Sequence, residues 1–410
     1  MRGVAYVCAA IIIAAIIIGV SYYYANAPSR TVTRTATVTA YRTVTTTVTV
    51  SAPARTVTKT ATLTTTSTAT VTSSVVSTTT VTASASAAKH AQSYVVVTDA
   101  RGVKVRIPEP VKRVVTLYGL APPFLYLLGV GDKYYGGWSW GGQFYQLIDP
   151  NFSKKCELGR MLNVEAIVKI HPQLVIASTW ERVMREVKQL QSLGIPVVCI
   201  KIESVKDVCN TILMLGKIFQ REAYAQKIVN YYENAVKYVE SKVANVKVRP
   251  KVLVIYYSGR HHALRTFGGD MFQSRLIELA GGVSVSENIT GKKSIDVEQV
   301  AKWNPDVIII IQYGYPASKV KHMILTDPAW SKIKAVEEGN VYIVPNDGEN
   351  WIDPCPKWVL GLFWLAKLLH PHLFAGLNIT KIAASYYKEF FNLSISKVHI
   401  IGDLNAEIKG

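Results

Sequence analysis

Ten side chains in this sequence have the chemistry to hold a small anionic ligand: Tyr118, Trp138, Trp140, Trp180, Arg260, His261, His262, Arg265, Tyr313 and Trp351. Aromatic rings offer rigid apolar contact area. Arginines meet oxygen atoms two at a time, and histidines add charge when protonated. Neighbours in an extended segment face opposite ways, so one of His261 and His262 is expected to face the ligand. For each residue taken singly, a place in the core or at an interface is the competing reading. The cluster says more than any member. No nucleophile–base pairing or carboxylate dyad stands out, so no catalytic residue and no resident cofactor are expected. The cysteines are Cys8, Cys156, Cys199, Cys209 and Cys355, with no CxxC or Cys/His spacing of a metal site. Burial as small hydrophobes is the favoured reading for Cys199 and Cys209. Disulfide pairing does not follow from spacing.

Two stretches fix the elements that must carry these residues. Asn163–Ile176 and Asp296–Ile309 share Val, Glu, Lys and Pro at one offset: 298 and 165 differ by 133, as do 305 and 172. Asn163 and Asp296 are good helix N-caps. Val164, Ile167 and Val168, and Val297, Val300 and Ala301, keep helical spacing. Pro172 and Pro305 stop each helix, and the β-branched run that follows suits a parallel strand covered on both faces. A helix–Pro–strand unit duplicated this far apart implies two similar α/β lobes. In open α/β sheets the ligand lies beyond the strand C-termini, and the ten side chains fall in such loops.

Glu222 to Val243 is continuous helical sequence, at ~1.5 Å per residue long enough to cross between lobes. A break is expected before it, near Gly216 or Gln220. The expected organisation is 93–220 as the N-terminal lobe, 221–246 as the inter-lobe helix and 247–410 as the C-terminal lobe. The N-terminal part differs. Gly3 to Tyr24 is apolar and uncharged, about the ~20 residues of a membrane helix, with Arg2 before it. Residues 1–27 therefore read as an anchor or signal segment. Pro28 would directly follow the small-residue cleavage site, which favours the anchor. Residues 28–92 are Thr, Val, Ser and Ala. Their alternation mimics strands, but without turn punctuation the expectation is an extended, disordered stalk. Seven basic and no acidic residues precede Asp99, so +11 of the net +18 belongs to the remainder. That is basic without the dense runs of a nucleic-acid binder.

Val97–Gly102, Val111–Val115, Thr266–Asp270 with Leu279–Gly282, Asn304–Ile308 and Gly361–Ala366 together resemble the substrate-binding proteins of ABC importers. The similarity is to the group handling iron complexes (siderophore, haem) and cobalamin, and it runs from about Ser93 to the end. The resemblance implies two Rossmann-like lobes joined by one long helix, a monomer outside the cytoplasmic membrane, and a metal complex held between the lobes. It also implies that Glu165 and Glu298 dock onto permease arginines. The residues alone permit a second reading, a first-turn carboxylate stabilised by the helix dipole. An oxyanion such as molybdate or tungstate is the alternative ligand. Chelatases with a related fold leave an enzyme as a third reading, and a surface-layer role for the stalk is a fourth.

Overall fold

The computed structural model describes residues 92–137, 139, 142–160 and 163–409, together with the backbone of four earlier segments. Those segments are β1 (Arg34–Thr39), β2 (Thr43–Ser51), β3 (Thr56–Thr64) and β4 (Val76–Thr82), an antiparallel meander in chain order. The expected disordered stalk is corrected here. Alternating Thr and Val have stiff χ1 angles that suit a pleated surface, and the segments serve as one another's partners. The expected apolar anchor over 3–24 lies outside the described residues. Among the described residues no helix is long and apolar enough to cross a membrane. The chain divides into two units, Met1–Ala91 and Gln92–Gly410. The second carries the cleft described below.

It opens with a hairpin, β5 (Ser93–Thr98) and β6 (Lys104–Glu109). Asp99 organises the turn: Oδ1 accepts from Arg101 N at 2.9 Å, and Oδ2 accepts from Cys199 N at 3.0 Å. The first lobe follows with β7 (Val114–Thr116), α1 (Pro122–Leu127), β8 (Tyr134–Gly137), α2 (Gly142–Gln146), α3 (Phe152–Arg160), α4 (Val164–Ile170), β9 (Leu174–Ser178), α5 (Met184–Ser192) and β10 (Val197–Ile200). Its strands are all parallel, in the order β10-β9-β7-β8. Every residue of β9 and β10 is buried, as an apolar run covered on both faces requires.

Helix α6 (Val205–Ile218) starts on a capping pair, with Ser204 Oγ accepting from Asp207 N at 3.1 Å. The chain breaks at Gln220, whose φ is +55°, and resumes as α7 (Glu222–Val243). At 1.5 Å per residue α7 is about 33 Å long.

The second lobe comprises β11 (Lys251–Ser258), β12 (Ala263–Phe267), α8 (Phe272–Leu279), β13 (Val283–Ser284), β14 (Lys292–Ser294), α9 (Val297–Trp303), β15 (Val307–Ile310), α10 (Ala317–Thr326), α11 (Lys334–Glu337), β16 (Val341–Ile343), α12 (Trp358–Leu369) and α13 (Ile379–Phe391). Its sheet runs β14-β12-β11-β15-β16. Strands β11, β13, β15 and β16 are parallel, and β12 runs antiparallel to both its neighbours, β11 and β14.

Helix α7 packs on α6 and on α8 and α12, so it spans both lobes. Direct side-chain contacts tie the lobes as well. Phe144 of α2 stacks against Tyr387 and Phe391 of α13, with centroids 5.4 and 5.0 Å apart. Beside it, the Tyr145 hydroxyl donates to Glu349 Oε2 at 2.9 Å. The four cysteines among the described residues, Cys156, Cys199, Cys209 and Cys355, are free thiols.

Candidate functional site

Loops at the C-terminal ends of β7, β9 and β10 face loops at the ends of β15 and β16 across a cleft of about 940 Å³. This is where open α/β sheets place their ligands. Three of the ten expected residues line it: Tyr118, Trp180 and Tyr313. The Tyr118 and Trp180 rings meet edge to face with centroids 5.0 Å apart. Tyr118 is buried, and that burial pushes its phenol pKa up. Trp180 is 39% exposed and carries the Arg182 guanidinium over its ring at 4.6 Å. Tyr313 stacks on Tyr256 at 5.1 Å, and its hydroxyl donates to Asp353 Oδ1.

Trp138 and Trp140 lie outside the described residues. The other five are elsewhere. Strands β11 and β12 stay paired as far as Ser258 and Ala263, so Arg260, His261 and His262 form the exposed tip of a tight hairpin. His262 has φ +47°, a turn conformation, so the alternation expected of an extended segment does not apply. Arg265 donates from Nη2 to the Lys292 carbonyl at 2.5 Å and does not line the cleft. Trp351 is fully buried, because Gly361 lets α12 approach the Trp351 carbonyl where a Cβ would sit 2.1 Å from the oxygen.

The residues not anticipated are mostly polar. Arg182 follows Trp180 by two positions. Lys292, at the start of β14, holds its ammonium 5.5, 5.0 and 5.1 Å from the centroids of Tyr256, Phe267 and Tyr313. Lys292 keeps solvent exposure in the open cleft, and the walls around its ammonium lower its pKa by desolvation. Among the described residues neither Arg182 nor Lys292 has a carboxylate within 4.0 Å.

Asp353 forms the cleft floor. Gln273 Nε2 at 2.7 Å, Asn350 Nδ2 at 3.0 Å and the Tyr313 hydroxyl all donate to it. Desolvation raises its pKa, against the pull of those donors and of Lys292. Beside it the fully buried Lys357 contacts both Asp347 oxygens, at 2.7 and 2.8 Å, and Glu349 Oε2 at 3.0 Å. These polar residues share one signal. The loop after β16, Asn346 to Lys357, has five acids or amides within eight positions at a strand C-terminus.

The two duplicated helices lie away from the cleft-lining residues. Each has the expected cap: Asn163 Oδ1 accepts from Ala166 N and Asp296 Oδ1 from Gln299 N, both at 2.8 Å. Glu165 and Glu298, in their first turns, are exposed.

Among curated proteins the chain is similar to the molybdate-binding protein MolA of Haemophilus influenzae, 25% identical over 73% of this chain and 91% of that protein. It is 28% identical to the high-affinity heme uptake system protein IsdE of Staphylococcus aureus, over 48% of this chain and 69% of that one. Solved structures agree on the fold. Molybdate-bound MolA superposes with a TM-score of 0.65 at 23% identity, covering 73% of this chain and 98% of that one. Helicobacter pylori CeuE in a nickel–histidine complex gives 0.62 at 21%, covering 74% and 98%. The family model described as periplasmic binding protein matches residues 114–347, more than half of the chain. The chain therefore belongs to the periplasmic binding protein family, the substrate-binding, non-enzymatic components of ABC importers.

Proposed function

We propose that this substrate-binding protein works outside the cytoplasmic membrane, held there by its apolar N-terminal segment, and captures an anionic metal complex in the cleft. The reading is carried by one observation. Arg182 and Lys292 stand on opposite walls, each over aromatic rings, and among the described residues neither forms an ion pair within 4.0 Å. A cation left unpaired in a partly desolvated cleft is a standing site for an anion. The volume lies near the upper end of the range for small-molecule sites, which suits a ferric siderophore, haem or cobalamin. Tyr118, Trp180 and Tyr313 would pack against its apolar parts.

A second reading, a molybdate or tungstate oxyanion, is favoured by the similarity to MolA. Both readings use the same two cations. Glu165 and Glu298 would then set the register of the loaded protein on permease arginines, since exposed charge pairs give specificity more than affinity.

A thermal-shift screen of the full chain against haem, a ferric siderophore, cobalamin, molybdate and tungstate tests this. A true ligand at 100 times its Kd adds ~2.7 kcal/mol. The R182M/K292M double variant should lose that shift. No shift with any compound would refute the reading.

A further inference from the structure

Of the buried trio, only Glu349 lines the cleft; Asp347 and Lys357 lie behind it. Its two oxygens are unequal. Oε2 accepts from Lys357 Nζ at 3.0 Å and from the Tyr145 hydroxyl at 2.9 Å, which fills both lone pairs of a carbonyl oxygen. Oε1 is equally buried and has no hydrogen-bond partner among the described residues. Lys357 already spans both Asp347 oxygens, and the Tyr387 hydroxyl donates to Asp347 Oδ2 at 2.7 Å. One ammonium therefore serves two carboxyls. Were both ionised, the fully buried trio would carry a net negative charge against a cleft built to receive an anion.

We propose that Glu349 is a neutral carboxylic acid whose Oε1–H donates a hydrogen bond to an oxygen of the bound anion. The inference rests on the anion reading above and deepens it. With two donors on Oε2, the proton has only Oε1 to occupy. Burial raises the Glu349 pKa, and Lys357 and Tyr145 oppose that while Asp347 adds to it. The thiol of Cys355, buried nearby, is itself pushed up by burial and so stays neutral. A neutral acid at this position selects for anions that present an unprotonated oxygen. An ionised one would repel them.

The Glu349→Gln variant keeps a donor in the same place and removes the acid. Infrared spectra of the ligand-free full chain at neutral pH should show a protonated-carboxyl band that E349Q loses and Asp353→Asn keeps. Titrations with molybdate and with ferric citrate give the second readout. E349Q should bind as tightly as the wild type does at low pH, whereas Glu349→Ala should lose about fivefold, one neutral hydrogen bond. Wild-type affinity should fall as pH rises through the Glu349 titration, and E349Q should be flat. A missing band with binding intact overturns the donor role alone, as does an E349Q variant that loses as much as E349A. A wild type that binds neither anion at any pH overturns the anion reading and the donor role together.

Discussion

The two duplicated helix–Pro–strand units agree in backbone and differ in charge. Both caps have extended backbone, and both helices end on a left-handed residue, His171 at φ +52° and Asn304 at φ +43°. Each of those N–H groups bonds back within the helix at 2.9 Å, to Val168 O and Val300 O. After the proline, each unit reaches back to the start of the neighbouring strand. Gln173 Oε1 accepts from Lys112 N at 2.8 Å, and Asp306 Oδ2 accepts from Lys251 N at 2.7 Å.

The charges do not match. Glu165 is held by Lys169 at 2.8 Å, whereas Glu298 has no cation within 4.0 Å among the described residues despite Lys302 at the same offset. Gln173 is neutral, while Asp306 pairs with Lys334 at 2.7 Å. Backbone geometry is constrained by the sheet each unit must enter. An exposed ion pair is worth only ~0–1 kcal/mol, so surface charge is free to differ.

The largest effect should come from removing what the units share. Charge reversal at both Glu165 and Glu298 should abolish uptake in a reconstituted importer while leaving ligand affinity intact. Unchanged uptake would remove the docking assignment. E298K alone should cost more than E165K alone, because Lys169 already partly masks Glu165.

The comparison extends to the cleft walls, one cation from each lobe. K292M should weaken ligand binding by tenfold or more, because three rings shield Lys292 and a hydrogen bond to a charged group is worth ~1.5–3 kcal/mol. R182M, on the exposed Trp180, should cost less. Equal losses by calorimetric titration would deny the asymmetry.

The C-caps should separate next. Asn tolerates the left-handed region better than His, so H171G should raise stability by ~0.5 kcal/mol and N304G by almost nothing. Urea denaturation midpoints decide this. The smallest effect concerns Asp306. Desolvation raises its pKa, but Lys334 and the Lys251 N–H outweigh that and hold it below the usual carboxylate range. A depressed carboxyl contributes stability above its unfolded pKa of ~3.9 and loses it as pH falls through the folded value. D306N should therefore lower stability by a few tenths of a kcal/mol near pH 7, and the difference should vanish near pH 3. A D306N difference that persists in acid would assign the contribution to something other than the carboxylate.

Much of the fold was legible because it is written in local signals. Asn163, Asp296 and Ser204 cap the helices expected of them, and the apolar runs 174–178 and 307–310 became buried parallel strands. The meander over 34–82 was misjudged because the partners of its strands are one another, which a search for turn signals does not find. The aromatic half of the cleft was readable from strand ends: Tyr118, Trp180 and Tyr313 follow β7, β9 and β15 closely. The ionic half was not. Arg260, His261 and His262 have the right chemistry but sit on a hairpin whose antiparallel pairing carries them out. Lys292 enters from a short edge strand that no periodicity announces. Glu349 and Asp353 look like ordinary loop acids until the fold buries them.

Anomalous diffraction at the metal edge, on crystals of the full chain grown with the strongest ligand from the screen, tests the central claim most directly. The account predicts one metal peak inside the cleft, between the Arg182 and Lys292 walls and above Asp353. A peak at the His261–His262 hairpin tip, or none in the cleft of a loaded protein, would contradict it.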